Sequence, residues 1–220
     1  MKRFTLILAF MAVFTASPAR AGGIPGKFDY WTMVLSWSPS YCNSPSGQRD
    51  RQQCGRGRAY AFVAHGLWPQ YARGWPEYCD RKPEWVSRDV LRAMTDIMPS
   101  NNLVIHEWKK HGVCSGLGAK DYFALTRKVF ASVRIPERFK RPNAYIQTTP
   151  QALKKAFLSA NPQLRANMIS VQCGGRRDRA TLGGLRICYD RNLKPRACGT
   201  NERRACRARS LTLPPVRTRR

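Results

Sequence analysis

His106-Glu107-Trp108-Lys109-Lys110-His111-Gly112-Val113-Cys114 holds two of the chain's three histidines, with a carboxylate and two ammonium groups between and beside them. The spacing predicts a helix that stops at Gly112. At about 100° per residue, with His106 at the origin, Lys110 falls about 40° round, Glu107 about 100° and His111 about 140°. Trp108 and Lys109 point elsewhere, at about 200° and about 300°. Two imidazoles, a carboxylate and an ammonium therefore share one arc, an arrangement suited to moving protons around an anion. A zinc protease also begins H-E, but its H-E-x-x-H grips one metal with histidines four apart. Here they are five apart, and Lys110 fills the fourth position, where its charge would repel the ion. The remaining histidine, His65, lies in Ala64-His65-Gly66-Leu67-Trp68-Pro69-Gln70.

His65-Gly66-Leu67-Trp68-Pro69, and His106-Glu107-x-x-Lys110-His111-Gly112 with Cys114 following, resemble the two active-site segments of the ribonuclease T2 family. The order, the separation and the flanking cysteines match together. The resemblance implies an α+β domain, an antiparallel sheet flanked by helices. It implies that His111 is the general base, His65 the general acid and His106 a phosphate-binding histidine. Glu107 and Lys110 resemble the pair that polarises the phosphate and stabilises the transition state. Trp68 resembles the residue that stacks on the nucleobase, with Gln70 standing where many members carry an aspartate. Tyr71 and Tyr78 are further candidates for that pocket. The implied product is a 2′,3′-cyclic phosphate, opened more slowly to a 3′-phosphate.

Met1 to Ala21 reads as a secretory signal: Lys2 and Arg3, an apolar run from Leu6 to Phe14, then Ala19-Arg20-Ala21 for cleavage. The apolar run is too short to span a bilayer, and no later one is long enough. About 199 of the 220 residues remain after cleavage, enough for one domain with a real core, expected over 22–206. The formal charge falls from +26 to about +23, three cations fewer and no acid lost. Such a charge favours polyanions, here single-stranded RNA bound through counterion release. The basic run Arg176 to Arg179 and the segment Arg207–Arg220 carry much of it, and the latter is expected to fray into solvent. No cofactor or metal ligand set is visible, and a monomer is expected. The other classes are a cationic RNA-binding or membrane-active protein without catalysis, but no amphipathic basic helix supports the latter.

Eight cysteines in an exported chain imply four disulfides, for which sequence permits 105 pairings. Cys42 and Cys54 are near enough to close a local loop. The family resemblance implies Cys79–Cys114 and a nested pair, Cys173–Cys206 around Cys188–Cys198.

Alternation predicts a half-buried strand over Phe28 to Trp37, with Trp31, Met33, Leu35 and Trp37 inward. Asn43 to Arg58 reads as a stapled loop. Tyr60 to His65 reads as a short strand ended by Gly66 and Pro69, leaving His65 at its exit. Ser87 should cap a helix carrying Val90, Leu91, Met94, Ile97 and Met98 and stopped by Pro99. A second helix is expected over Tyr122 to Val133 and a third from Pro150 to about Ala160. Met168 to Gln172 and Leu185 to Tyr189 read as late strands. Strands and helices without regular alternation indicate α+β.

Overall fold

The computed structural model describes residues 22–175, 179–203 and 205–216, with the backbone alone at residue 203. The expected signal, the greater part of the run from Arg176 to Arg179, and Arg217–Arg220 lie outside these residues. In chain order the strands are β1 (Tyr30–Trp37), β2 (Phe62–Gln70), β3 (Ile146–Thr148), β4 (Ile169–Gly174), β5 (Thr181–Tyr189) and β6 (Leu211–Leu213). The helices are α1 (Ser38–Cys42), α2 (Pro45–Arg49), α3 (Arg51–Cys54), α4 (Arg88–Met94), α5 (Asn101–Lys110), α6 (Ala119–Ala131) and α7 (Pro150–Ala160). The strands form one sheet in the order β2-β1-β5-β6-β3, with β4 also paired to β5. All pairs are antiparallel except a parallel bridge from Thr181 to Thr212, so the α+β fold is built on a mixed sheet.

Residues opposite one another in an antiparallel pair share a face. Trp31, Met33, Leu35 and Trp37 therefore share theirs with Leu67, Ala64 and Phe62 of β2 and with Tyr189, Ile187 and Leu185 of β5. All belong to the core, together with Val104 and Trp108 of α5, Tyr122 and Phe123 of α6, and Leu153 and Phe157 of α7. β1 is not half-buried. Its other face carries Tyr30, Thr32 and Val34, buried as well, and Glu202 lies over the first two, accepting hydrogen bonds from Tyr30 Oη (2.7 Å) and Thr32 Oγ1 (3.2 Å).

β2 does not stop at Gly66; it runs through Pro69 to Gln70. An edge strand can tolerate proline, because its missing N–H would otherwise face away from the ladder. β2 is the edge. The register moves from Val34 opposite Gly66 to Leu35 opposite Ala64, so His65 is the extra residue of a β-bulge, not the exit of a strand. The segment expected as a loop folds into α2 and α3, capped by Ser44 accepting from Gly47 N and Asp50 accepting from Gln53 N. Ser87 caps α4 as predicted and Thr149 caps α7, though α4 ends at Met94, short of Ile97 and Met98.

The basic C-terminal segment does not fray over its described part. Leu211 and Leu213 of β6 are fully buried beside β3, Trp37 Nε1 donates to Pro214 O (3.1 Å), and Val216 N donates to Pro142 O (2.8 Å). Two leucines in strand alternation, followed by an apolar Pro-Pro-Val, outweigh the arginines around them. The four disulfides are Cys42–Cys54, Cys79–Cys114, Cys173–Cys206 and Cys188–Cys198, the pairings expected.

Candidate active site

α5 ends at Lys110 with His111 as its C-cap, one residue earlier than Gly112, and continues as a 3₁₀ turn over Gly112–Cys114. Gly112 serves the packing of this turn: a Cβ there would meet the Trp108 ring at 2.3 Å. Cys79–Cys114 and the hydrogen bond from Tyr78 N to Lys110 O (2.9 Å) tie the helix end to the chain after β2. The helical arc then faces the non-core face of β2. His65, His106, Glu107, Lys110 and His111 converge on one cavity of about 250 Å³, completed by Trp68, Gln70, Trp75 and Arg186.

Glu107 is the hub. It is 1% exposed, accepts the Trp68 indole N–H at 2.6 Å through Oε2, and places Oε1 3.4 Å from His65 Nε2. Burial pushes its carboxyl up, but the His65 imidazole, His111 and the Trp68 N–H outweigh that and leave it below the ordinary range. Gly66 makes this approach possible, since a Cβ there would lie 2.0 Å from Glu107 Oε2. On its other side, His65 Nδ1 is 3.0 Å from Ser36 Oγ, so both imidazole nitrogens are engaged.

His111 stacks on Trp68, with ring centroids 4.6 Å apart and an interplanar angle of 20°. Burial is the main cause that holds its pKa down to about 4; Lys110, His106 and His65 reinforce this and Glu107 opposes it. His111 is therefore neutral near pH 7, and its buried Nδ1 has no hydrogen-bond partner among the described residues. Lys110 Nζ is 3.5 Å from Glu77 Oε2, an oxygen that also accepts the Trp75 indole N–H at 3.3 Å. His106 is exposed at the rim.

The nucleobase candidates divide. Trp68 is not a free platform: His111 stacks on it and the Arg186 guanidinium carbon is 5.1 Å from its ring centroid. Gln70 reaches the cavity but is spent on protein partners, donating to Pro69 O (2.9 Å) and accepting from Asn201 Nδ2 (3.0 Å). Tyr71 and Tyr78 do not line the cavity. Trp75, half exposed at its rim, is the aromatic surface open to a ligand. Sequence reading missed Trp75, Ser36, Arg186 and Asn201. A tryptophan next to the Gly74 turn was the available signal for the first. For Ser36 and Arg186, only the strand order brings them to the site. Two further hollows share His65 and extend the cleft past α1 to α3.

Residues 28–198 match the ribonuclease T2 family model. A ribonuclease of Aeromonas hydrophila is 42% identical over 57% of this chain and 56% of its own length. A probable ribonuclease of Haemophilus influenzae is 29% identical over 77% of this chain and 61% of its own. The chain thus spans little more than half the length of these curated relatives. The solved structure of an RNase-related protein from Calystegia sepium superposes with a TM-score of 0.68 at 22% identity, over 87% of this chain and 99% of that one, which shows the same fold. With the matched region enclosing both histidine segments and their shared cavity, this chain belongs to the ribonuclease T2 family.

Proposed function

We propose that the protein is an exported endoribonuclease that cuts single-stranded RNA by metal-independent transphosphorylation, with low nucleobase specificity. His111 takes the proton of the ribose 2′-hydroxyl, and the 2′-oxygen attacks the adjacent phosphorus. The bond from phosphorus to the 5′-oxygen breaks as His65 protonates that oxygen. His106 binds the phosphate, while Lys110, with Glu107 holding the imidazoles in place, stabilises the charge of the phosphorane. The first product carries a 2′,3′-cyclic phosphate, which water opens more slowly to a 3′-phosphate.

The observation that carries this reading is the convergence of three histidines, one carboxylate and one lysine on a single cavity from two separate elements. The depressed pKa of His111 favours it as the base, since a base must start unprotonated at working pH. The commitment of Gln70 to Pro69 and Asn201 leaves few groups free to read a nucleobase, which favours low specificity. Four disulfides favour an oxidising compartment, the periplasm or the exterior, and the N-terminal segment supplies the address. No described helix is long and apolar enough to cross a membrane.

RNA and DNA of matched sequence, digested with and without chelator and with product ends identified, test the reading. RNA alone should be cut, at a rate indifferent to chelator, through cyclic phosphate ends. Comparable cleavage of single-stranded DNA, or loss of activity in chelator, overturns it. Roles separate with an aryl leaving group, which needs little protonation: it should rescue His65→Ala and not His111→Ala. The reverse result exchanges acid and base.

A further inference from the structure

Arg186 is the one charged lining residue of the cavity to which the mechanism above gives no task. It stands on β5 opposite Val34 of β1, which in turn faces Gly66 of β2, so it shares the sheet face that carries the site. Its neighbours on either side, Leu185 and Ile187, point into the core, so Arg186 projects away from it. The guanidinium lies against Trp68, in the cavity that His106, Lys110 and His111 also line. Its Nε is buried and has no hydrogen-bond partner among the described residues. A donor left in that state is costly unless something else meets it.

No carboxylate neutralises this cation within the site. Glu202 acts on it from the same face of the sheet, but its oxygens are taken by Tyr30 Oη and Thr32 Oγ1, and it forms no ion pair with Arg186. Glu107, the acid of the cavity, is held by Trp68 and His65. Burial lowers the Arg186 pKa, with Glu202 and Tyr30 opposing, yet a guanidinium stays charged at any working pH. The cavity therefore carries an excess of positive charge beside Trp68.

We propose that Arg186 is a further substrate-binding residue, a fixed cation that donates to the non-bridging oxygens of the phosphate. This rests on the RNA-cutting reading above. A phosphodiester supplies both missing elements, a negative charge and acceptor oxygens matched to the guanidinium fork. A neutral nucleobase would supply acceptors but leave the charge unanswered. Packing against Trp68 holds the fork in place, so little side-chain freedom is lost when substrate arrives. Lys110 is shared with Glu77, which leaves Arg186 as the permanent cation of the cavity without an ion pair among the described residues.

Binding of inorganic phosphate, uridine 3′-phosphate and uridine is measured by calorimetry on the full chain and on Arg186→Lys and Arg186→Gln. The glutamine variant should bind both phosphates at least tenfold more weakly and uridine within twofold of wild type; lysine should fall between. With oligomeric RNA, the salt dependence of KM should flatten by about 0.7 log unit per decade of salt, the share of one phosphate contact on a single strand. In wild type labelled with ¹⁵N-arginine, the Arg186 Nε–H resonance should shift with phosphate and not with uridine, a readout that needs no folded variant. An equal loss for uridine and its phosphate assigns Arg186 to the nucleobase and overturns the proposal. Unchanged phosphate binding, with or without a loss of thermal stability, also overturns it. If wild type binds phosphate through Arg186 but cuts no RNA, the activity falls and the anion site stands. If wild type cuts RNA and the glutamine variant binds phosphate as well as it does, the anion site alone falls.

Discussion

Gly66→Ala places a methyl group where the site has no room for one. The added Cβ would lie 2.0 Å from Glu107 Oε2, 2.7 Å from Trp68 Nε1 and 2.9 Å from Glu107 Cδ. Contact distance for such atoms is about 3.5 Å, so the carboxylate must retreat by more than about 1 Å. Glu107 is 1% exposed and has packed protein behind it. Overpacking of this kind costs about 1–3 kcal/mol. Breaking the 2.6 Å bond from Trp68 adds the loss of a charge-assisted hydrogen bond, about 1.5–3 kcal/mol. Turnover should fall by about 10²-fold, the cost of a misplacement near 1 Å at a reacting centre. Urea unfolding and steady-state kinetics on a dinucleotide measure the two effects. Combining Gly66→Ala with Glu107→Asp shortens the acid and should recover much of the stability while activity stays low. Wild-type stability and turnover in Gly66→Ala, or no coupling between the two substitutions, would refute the account of why glycine follows His65.

His111 should make stability depend on pH. Its folded pKa of about 4 lies below the unfolded value of about 6.5, so acid protonates the unfolded chain first. The contribution is complete above about pH 6.5 and is lost as pH falls through about 4, amounting to about 3 kcal/mol at most. His111→Gln should flatten that slope in urea titrations; an unchanged slope refutes the assignment. Leu211→Ala and Leu213→Ala should each cost about 2–5 kcal/mol, as fully buried leucines do, and a loss within error of zero would restore the frayed tail. Replacing Cys79 and Cys114 together by serine should cost about 2–5 kcal/mol and lower turnover by loosening the end of α5; stability lost with turnover intact would show that the bridge does not serve the site.

The arc of His106, Glu107, Lys110 and His111 was legible because a helix repeats on a fixed angle, so these residues share a side whatever they pack against. The apolar parity of Trp31, Met33, Leu35 and Trp37 identified the core face of β1 in the same way. Parity says nothing about what covers the other face. Ser36 and Arg186 therefore read as surface positions, and Tyr30 and Thr32 as half-exposed ones, until Glu202 and the strand order are known. His65 was expected at the end of a strand because Gly66 and Pro69 are breakers inside a sheet. At an edge, with a bulge, they are not. β6 was hidden by composition, since three strand residues lie within a run rich in arginine. Disulfide pairing followed from resemblance alone for three of the four bridges, because distant cysteines carry no local signal of their partners.

Strand β6 has a consequence for when the candidate site acquires its frame. A chain made from its N-terminus contains both histidine segments long before Leu211 exists. Until then β3 lacks the strand it pairs with, and the indole of Trp37, at the end of the strand that backs the site, lacks its acceptor at Pro214. Cys173 likewise waits for Cys206. The sheet that frames the candidate site therefore stays unfinished until Leu211 to Val216 have been made.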